Sequence, residues 1–527
     1  MASSDINLCY KEHVMAYFLG IDLGTSGVKS AIVGEDGNLI GTGYMPLDII
    51  TEKPMWAEQS PIDWWDACKF SVKQAVSQSG IGKYVVGIGI SGQMLGSTFL
   101  DRNKELIGNS IIWLDQRSIK EVEWLKDKVG IDKLINLTSN IPLTGYWAPK
   151  LMWIKNNEPD KFEKIKHVLF PKDYIKYMFT GEISLEYSDL AGSYLFDVVN
   201  KKIITEMFEL CGLPRDIISE NIIESQGVAG YLKADIATDL GLTAGIPVMG
   251  GAGDQAACAL GSGIFKEGIA SVTIGTSGVV YAASNKPIPD FHQNAAMCYC
   301  HSVPNIWSLF GCTLAAGGSF KWLRDILFSE SSELYENNSE VEFRIMSGLA
   351  DKAAAGSEGL IFLPYLNGER TPYPDPYARG TFFGLSLRHG KNEIIRSVME
   401  GVTYSLRDTI ELLRAADVTI QEIRASGGGA KSKLWMQIQA DVFNTCVVKT
   451  NVSETGCVGA AILAAIGSGH FRDAEEACNQ IIKPISFTEP IMRNTEMYND
   501  YYCTYRSLYS TLKSTYKNHA ELVNKWI

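Results

Sequence analysis

The chain has 527 residues, 46% of them hydrophobic and 20% charged, and a net charge of −12. That length exceeds a single hydrophobic core, so two large domains are expected, while an acidic balance without clustered Lys and Arg excludes nucleic acid and anionic membrane as principal partners. The 11 cysteines are too sparse for a disulfide framework, no apolar run reaches the roughly 18 residues of a membrane span, and residues 1–15 read as a polar extension without a signal peptide. The expectation is a cytoplasmic protein.

From residue 16 onward strands and helices alternate. YFLGIDLG, VKSAIVG and LIGTGYMPL, separated by short turns, predict a three-stranded meander. Ser60 and Pro61 mark the N-cap and first position of a helix over residues 61–79, with Trp64, Trp65 and Phe70 directed to the core. YVVGIGISG is an almost continuous apolar run, as a buried central strand requires. IPVMGGAGDQ, ASVTIGTSG, VVYAAS and NIWSLFGCTLAAGG repeat this rhythm, and IRASGGGAKSKLWMQIQADVF reads as a strand, a glycine loop and a helix. The five residues GTSGV occur twice, at 24–28 and 275–279, each time between apolar runs. Two α/β domains built to one plan account for the duplication, with a junction near residue 256. The Tyr-rich stretch 497–512 predicts a C-terminal helix packed through its rings.

A Gly-Thr-Ser-Gly loop between adjacent strands exposes amides that the hairpin does not use, and its small side chains let an anion approach. One such loop is a tight turn as readily as a phosphate site; two copies on similar domains can grip one polyphosphate from both sides. A third glycine cluster, Gly427, Gly428, Gly429 and Ala430, precedes the helix of Leu434 and Trp435 and offers a helix N-terminus to a ligand. Residues 87–92 fit GxGxxG and residues 251–256 its GxGxxA variant, so a dinucleotide-binding dehydrogenase is a rival. The strand after Gly251 ends in Ile274, Gly275 and Thr276, however, without the acidic residue that holds a ribose, and no GxxxxGK[ST] occurs.

Asp22 ends the first apolar strand immediately before the first loop, where a carboxylate can hold Mg²⁺ beside phosphates. Asp254 ends another apolar run among small residues that leave room for a substrate. In-line phosphoryl transfer needs a proton acceptor and a metal, and this pair can supply both. A turn-capping role remains open for each carboxylate taken alone.

The ordered motifs GIDLGTSGVKSAIV, WAEQSPIDWW, SGQM, WLDQR, GGAGDQAA, IGTSG, FLPYLNGERTP and SGGGAKSKLW resemble those of the FGGY carbohydrate kinases, and among them the xylulokinases, from about residue 16 to about 469. One family signature is complete, with Gly380, Phe382, Gly384, Leu385, Glu393, Ile394, Ser397, Val398, Met399 and Glu400 at their offsets. In the other, Lys150, Leu151 and Trp153 are present, but Trp147 stands where the family has a small residue, read as local repacking. The resemblance implies two actin-like, ribonuclease-H-like α/β domains around a catalytic cleft. Residues 16–256 would bind the sugar and residues 257–527 the nucleotide. It implies ATP and Mg²⁺ as cofactors and a small sugar as substrate, with Asp254 as the base and Asp22, with Asp254, on the metal side. Gly24, Thr25, Ser26, Lys29, Gly275, Thr276 and Ser277 would hold phosphates, and Gly428, Gly429 and Ala430 would border the adenosine. Gln93, Met94, Leu95, Asp254 and Gln255 would touch the sugar.

Two departures bear on the substrate. Leu95 replaces a family His that contacts the sugar, and Gln255 follows the catalytic Asp where many xylulokinases have Asn. A lost hydrogen bond to a sugar hydroxyl predicts that D-xylulose is a poor substrate or one of several, with another pentulose, a deoxy-sugar or a smaller polyol preferred. A polymer-forming actin-like ATPase would share the loops without needing Asp254. His301 lacks partners at zinc-ligand spacing, Cys298 and Cys300 read as packing, Asp115 and Arg117 as a structural pair, and Trp56 as core. A homodimer is the default oligomeric expectation.

Overall fold

The computed structural model describes residues 15–289, 296–328 and 339–526; apart from residue 15, the expected polar extension lies outside them. The meander forms as expected: β1 (Tyr17–Leu23), β2 (Gly27–Gly34) and β3 (Leu39–Pro46) pair antiparallel in sequence. Helix α1 (Pro61–Ser79) starts at the proline, and the Ser60 hydroxyl accepts the Asp63 amide at 3.2 Å, satisfying one of the amides a helix start leaves free. Trp64 and Trp65 are buried, but Phe70 is 50% exposed. Six residues beyond Trp64 at 100° per residue place it some 120° away from the buried stripe, about a third of a turn.

Strand β4 (Val85–Gly92) then lies parallel beside β1, helices α2 (Trp147–Asn157) and α3 (Pro171–Thr180) follow, and β5 (Val228–Tyr231), β6 (Pro247–Met249) and β7 (Ala252–Gly253) complete the first sheet. Its order is β5-β6-β4-β1-β2-β3, with β7 also on β4. Helix α4 (Asp254–Gly261), which spans the expected junction, leads into β8 (Gly268–Ile274), β9 (Gly278–Ser284), β10 (Met297–Cys300) and β11 (Trp307–Thr313). Helices α5 (Gly317–Leu327) and α6 (Lys391–Ala415), strand β12 (Ile420–Gly427), helix α7 (Lys433–Phe443), strand β13 (Cys446–Thr450), helix α8 (Thr455–Gly467), strand β14 (Pro484–Thr488) and helix α9 (Met492–Trp526) follow.

The second sheet runs β10-β11-β9-β8-β12-β13-β14. Leaving the outer strand β10 aside, it repeats the first: β8 stands for β1, β9 for β2, β11 for β3, β12 for β4, β13 for β6 and β14 for β5. Each pairing keeps its parallel or antiparallel sense. The halves are locked by α8, which comes from the second half and packs on the first sheet. A Cβ on Gly20 would stand 1.9 Å from the Cys457 carbonyl, and one on Gly89 1.8 Å from that of Ala460. The glycines of GIGISG therefore make room for a helix inside a strand, which removes the dinucleotide-loop reading of residues 87–92. α8 also crosses α4 closely, because a Cβ on Gly459 would meet the Ala257 carbonyl at 1.9 Å.

Helix α9 has 35 residues, longer at both ends than the expected 497–512. Tyr498, Tyr502, Tyr505 and Tyr509 recur every three or four residues and are buried. Their hydroxyls find partners, Tyr498 donating to Glu400 at 2.7 Å and Tyr502 to Asp408 at 2.6 Å. Among the described residues no helix is long and apolar enough to cross a membrane.

Candidate active site

Ser91 on β4 is the centre of the carboxylate site. It pairs with Asp22 on one side and with Ala252 on the other, so β1 and β7 end at the same edge of the sheet, one delivering Asp22 and the other Asp254 two residues on. Asp22 accepts from the Ser91 hydroxyl at 2.9 Å, and its other oxygen faces the start of α8, where a Cβ on Gly456 would come within 2.3 Å. Burial raises its pKa above the ordinary carboxylate value, opposed by the Ser91 hydrogen bond and by Lys29. Asp254 opens α4, and its carboxyl is pushed up to about 7 by burial first and by the charge of Asp22 second. A carboxylate poised there is suited to accept a proton near neutral pH.

The first loop is held from behind. Gly24 N donates to Gly27 O at 3.0 Å, while the Thr25 and Ser26 amides have no acceptor among the described residues. The Thr25 hydroxyl is engaged, accepting from the Trp113 indole at 2.9 Å and donating to the Gln93 side chain at 3.3 Å. Ser26 is exposed. Lys29 points away into an ion pair with Glu454 at 2.8 Å, just ahead of α8, so the first half reaches the second through it. Both side chains are well solvated, and such a pair contributes little to stability.

In the second loop Gly275 and Thr276 are exposed. Their carbonyls accept the amides that begin α5: Gly317 N to Gly275 O at 2.8 Å, and Ala316 N and Gly318 N to Thr276 O at 3.0 and 2.9 Å. The Thr276 and Ser277 amides again have no acceptor among the described residues. Beside this loop ends β12, since Ile274 pairs with Gly427 and Thr273 with Ser426. The glycine cluster differs from expectation. Gly428, Gly429 and Ala430 form a separate 3₁₀ turn, and α7 is capped by the Ser432 hydroxyl, which accepts Trp435 N at 3.3 Å. The cluster lies against Ile274 rather than at an open helix N-terminus, because a Cβ on Gly429 would be 2.6 Å from the Ile274 side chain.

Of the residues expected to touch sugar, Gln93 is fully buried, with its amide donating to Gln59 at 2.7 Å; it braces Thr25 from behind. Met94 is buried against Gly253. Leu95 is half-buried with φ +69°, its side chain lying beside Gly145 and Gly192. Gln255 is half-buried and its amide lies 3.4 Å from Asp254. The loop carrying Leu95 is gripped by α2: the buried Lys150 ammonium donates to the carbonyls of Leu95 and Ile111 at 2.9 and 3.0 Å, and the Trp147 indole donates to Gly96 O at 2.7 Å. Burial lowers the Lys150 pKa to about 7. Trp147 thus does more than repack, since it anchors the loop while stacking on Phe170.

Two features escaped the sequence reading. The Thr273 and Ser426 hydroxyls meet at 2.7 Å where the first half has Asp22 and Ser91; aligning the two GTSGV copies two residues upstream would have found Thr273. Glu400 of the signature lies away from the loops and holds Gly356 N, Ser357, Arg396 and Tyr498 together in the second core. Asp115 and Arg117 form the expected buried pair, extended to Glu58 at 2.6 Å. Trp56 is only half-buried, with the Arg117 guanidinium 3.7 Å from its ring centre. His301 is buried and its Nδ1 accepts Val303 N at 3.0 Å; burial lowers its pKa to about 3, so the ring is neutral.

Residues 17–261 match the N-terminal domain of the FGGY family of carbohydrate kinases, and residues 270–468 match its C-terminal domain. A xylulose kinase of Staphylococcus epidermidis is 36% identical over 94% of this chain and 97% of its own. This chain belongs to the FGGY family of carbohydrate kinases. Among solved structures, xylulose kinase from Rhodospirillum rubrum superposes with a TM-score of 0.87 at 28% identity, over 95% of this chain and 100% of the other. Gluconate kinase from Lactobacillus acidophilus reaches 0.87 at 25% identity, over 96% and 100%. As a carbohydrate kinase of this family, the chain has a sugar and ATP as its substrates, and the family's chemistry in general calls for a divalent metal. Among the described residues no cluster of three or more His, Cys, Asp or Glu side chains could cage a metal. The two carboxylates, Asp22 and Asp254, fit a divalent ion that takes most of its ligands from phosphate and water.

Proposed function

We propose that this enzyme transfers the γ-phosphoryl group of ATP to a hydroxyl of a small ketose, with Asp254 as the base and Asp22 on the metal side. The observation that carries it is the convergence of both carboxylates around Ser91 at one sheet edge, with Asp254 poised near 7. Asp254 takes the proton of the attacking hydroxyl as the new O–P bond forms and the bond from the γ-phosphorus to the β,γ-bridging oxygen breaks, releasing ADP. Bound magnesium would neutralise phosphate charge beside Asp22. The unclaimed amides of Thr25, Ser26, Thr276 and Ser277 hold phosphate oxygens, with Gly24 and Gly275 leaving room for them. Lys29 exchanges Glu454 for phosphate, and Gly428, Gly429 and Ala430 border the adenosine. Residues 16–256 form the sugar-binding domain and 257–527 the nucleotide-binding one, in a homodimer.

A ketopentose is the substrate class, and the relatives' names make D-xylulose the first to test. A second reading is favoured by Leu95, an apolar side chain at the place of a family His: a sugar or polyol with one fewer hydrogen bond to offer. Both are tested by following ADP release with Mg-ATP and D-xylulose, L-xylulose, D-ribulose, L-ribulose, gluconate, glycerol or erythritol, for wild type and Leu95→His. Sugar-independent ADP release would overturn the kinase assignment in favour of an ATPase. A large D-xylulose preference in wild type, with no gain in Leu95→His, would end the second reading.

A further inference from the structure

The backbone that delivers Asp254 is held by a cluster of buried charges outside the cleft-edge site. Gly253 N, the last amide before Asp254, donates to the Ser188 hydroxyl at 3.0 Å. Ser188 lies on the one-turn helix Tyr187–Leu190 and is fully buried. Its hydroxyl donates in turn to Glu186 Oε2 at 2.8 Å, and its own amide donates to Glu186 Oε1 at 2.7 Å. Lys172 stands 3.5 Å from Glu186 and 2.7 Å from Asp173. Lys176 binds Asp173 at 2.8 Å and reaches the Gly250 carbonyl at 3.2 Å. The short segment 250–253 is therefore held at its first carbonyl by Lys176 and at its last amide by Ser188, while Met94 presses on Gly253 from the other side, where a Cβ would come within 2.8 Å. All five charged side chains, Asp189 included, are almost completely buried. Lys172 and Lys176 face three carboxyls, those of Asp173, Glu186 and Asp189. Asp189 Oδ2 lies 3.9 Å from the Lys172 ammonium, neither of its oxygens is hydrogen-bonded among the described residues, and burial raises its pKa. A buried cluster paired in this way is stiff, because moving Lys172, Lys176, Asp173 or Glu186 leaves a buried charge unpaired.

We propose that Ser188, anchored on Glu186, is the positioning residue that sets the reach and direction of Asp254. This rests on the reading of Asp254 as the base. Ser188 is fully buried and its hydroxyl is taken up by Gly253 and Glu186, so its loss should act on turnover and leave binding intact. The test is steady-state kinetics of the full chain with Mg-ATP and the best sugar of the panel, with active sites counted by nucleotide titration. Ser188→Ala should lower kcat about 10- to 100-fold, as misplacement of a reacting group does, with both KM values near wild type. Ser188→Thr, which keeps the hydroxyl, should restore most of the rate. Wild-type kcat in Ser188→Ala, an equal loss in Ser188→Thr, or a change confined to KM would overturn the proposal. If Ser188→Ala does not fold, Ser188→Cys decides, since it keeps the volume but is a poor acceptor: a fall in kcat at unchanged KM supports the role, and an unchanged kcat refutes it. Asp254→Asn separates the two claims. Full turnover there would remove the base itself, whereas a dead Asp254→Asn beside a normal Ser188→Ala would remove only the positioning.

Discussion

The two GTSGV copies share five residues and fold differently. In the first, Leu23 pairs with Val28, leaving four residues, 24–27, outside the ladder; in the second, Ile274 pairs with Gly278, leaving three, 275–277. The turn bonds follow, from Gly24 N to Gly27 O in one and from Gly275 N to Ser277 O in the other. Tertiary partners account for the difference. The first loop is tied to Tyr44 and Leu47, whose hydroxyl and amide both donate to Ser26 O at 3.1 Å, while the second is tied to the opening amides of α5. The chemistry differs more. Two residues before the loop stands Asp22 in one copy and Thr273 in the other, facing Ser91 and Ser426 on equivalent strands. One plan thus supplies two glycine turns, and the flanking residues put a carboxylate beside one and only hydroxyls beside the other, the asymmetry on which the proposed phosphoryl transfer rests.

That asymmetry can be broken in order of expected effect. Asp254→Asn should cost about 10²- to 10⁴-fold in turnover while ATP still binds, the range for losing a positioned base; turnover near wild type would place the chemistry elsewhere. Asp22→Asn makes the first strand end as neutral as the second. It should cost about 10²-fold at limiting Mg²⁺ and less as Mg²⁺ is raised. Thr273→Val, its counterpart, removes one hydroxyl contact worth about 1 kcal/mol, about fivefold in rate at most, with no Mg²⁺ dependence. Equal, Mg²⁺-dependent defects in both variants would show that the two halves share the metal work and that the acidic-half reading is wrong.

Local signals carried the frame. Ser60 and Pro61 placed the start of α1, the turns of the meander were legible in their glycines and charges, and the apolar run before each carboxylate located Asp22 at the end of β1 and Asp254 just past β7, where it opens α4. The family of kinases was legible in the order of the motifs. What depended on distant partners was not. Gly87 and Gly89 fit a nucleotide fingerprint as well as they fit a strand that admits α8, and only the approach of Ala460 decides. Trp147 looked like a misfit because its partner, the Gly96 carbonyl, is 51 residues away. Gln93 carries the right chemistry for a sugar, yet Gln59 and Thr25 claim its amide. The cage around Ser188 gathers residues from 172 to 253, and nothing in their local spacing announces it.

The last expected effect is on stability rather than turnover and concerns the loops that follow β4 and β12, which are equivalent in the fold and fixed by opposite means. Residues 428–430 after β12 make their turn with glycines and hand the helix cap to Ser432. Residues 93–96 after β4 put Leu95 at positive φ and depend on Lys150 for its carbonyl. Burial holds the Lys150 ammonium at a pKa of about 7, far below an unfolded lysine. Between about 7 and the unfolded value near 10.4 the unfolded chain binds the extra proton, so the contribution of this group to stability rises with pH across that window and is least below it. The slope from one such group approaches about 1.4 kcal/mol per pH unit. Lys150→Met removes the titration together with both hydrogen bonds. Thermal unfolding from pH 6.5 to 9.5 should therefore show wild type gaining on the variant as pH rises, whereas Ser432→Ala after β12 should show a pH-independent loss of about 1 kcal/mol, that of a cap. A constant gap between wild type and Lys150→Met would mean that Lys150 stays charged throughout, and that the loop carrying Leu95 is held by an ammonium across that whole pH range.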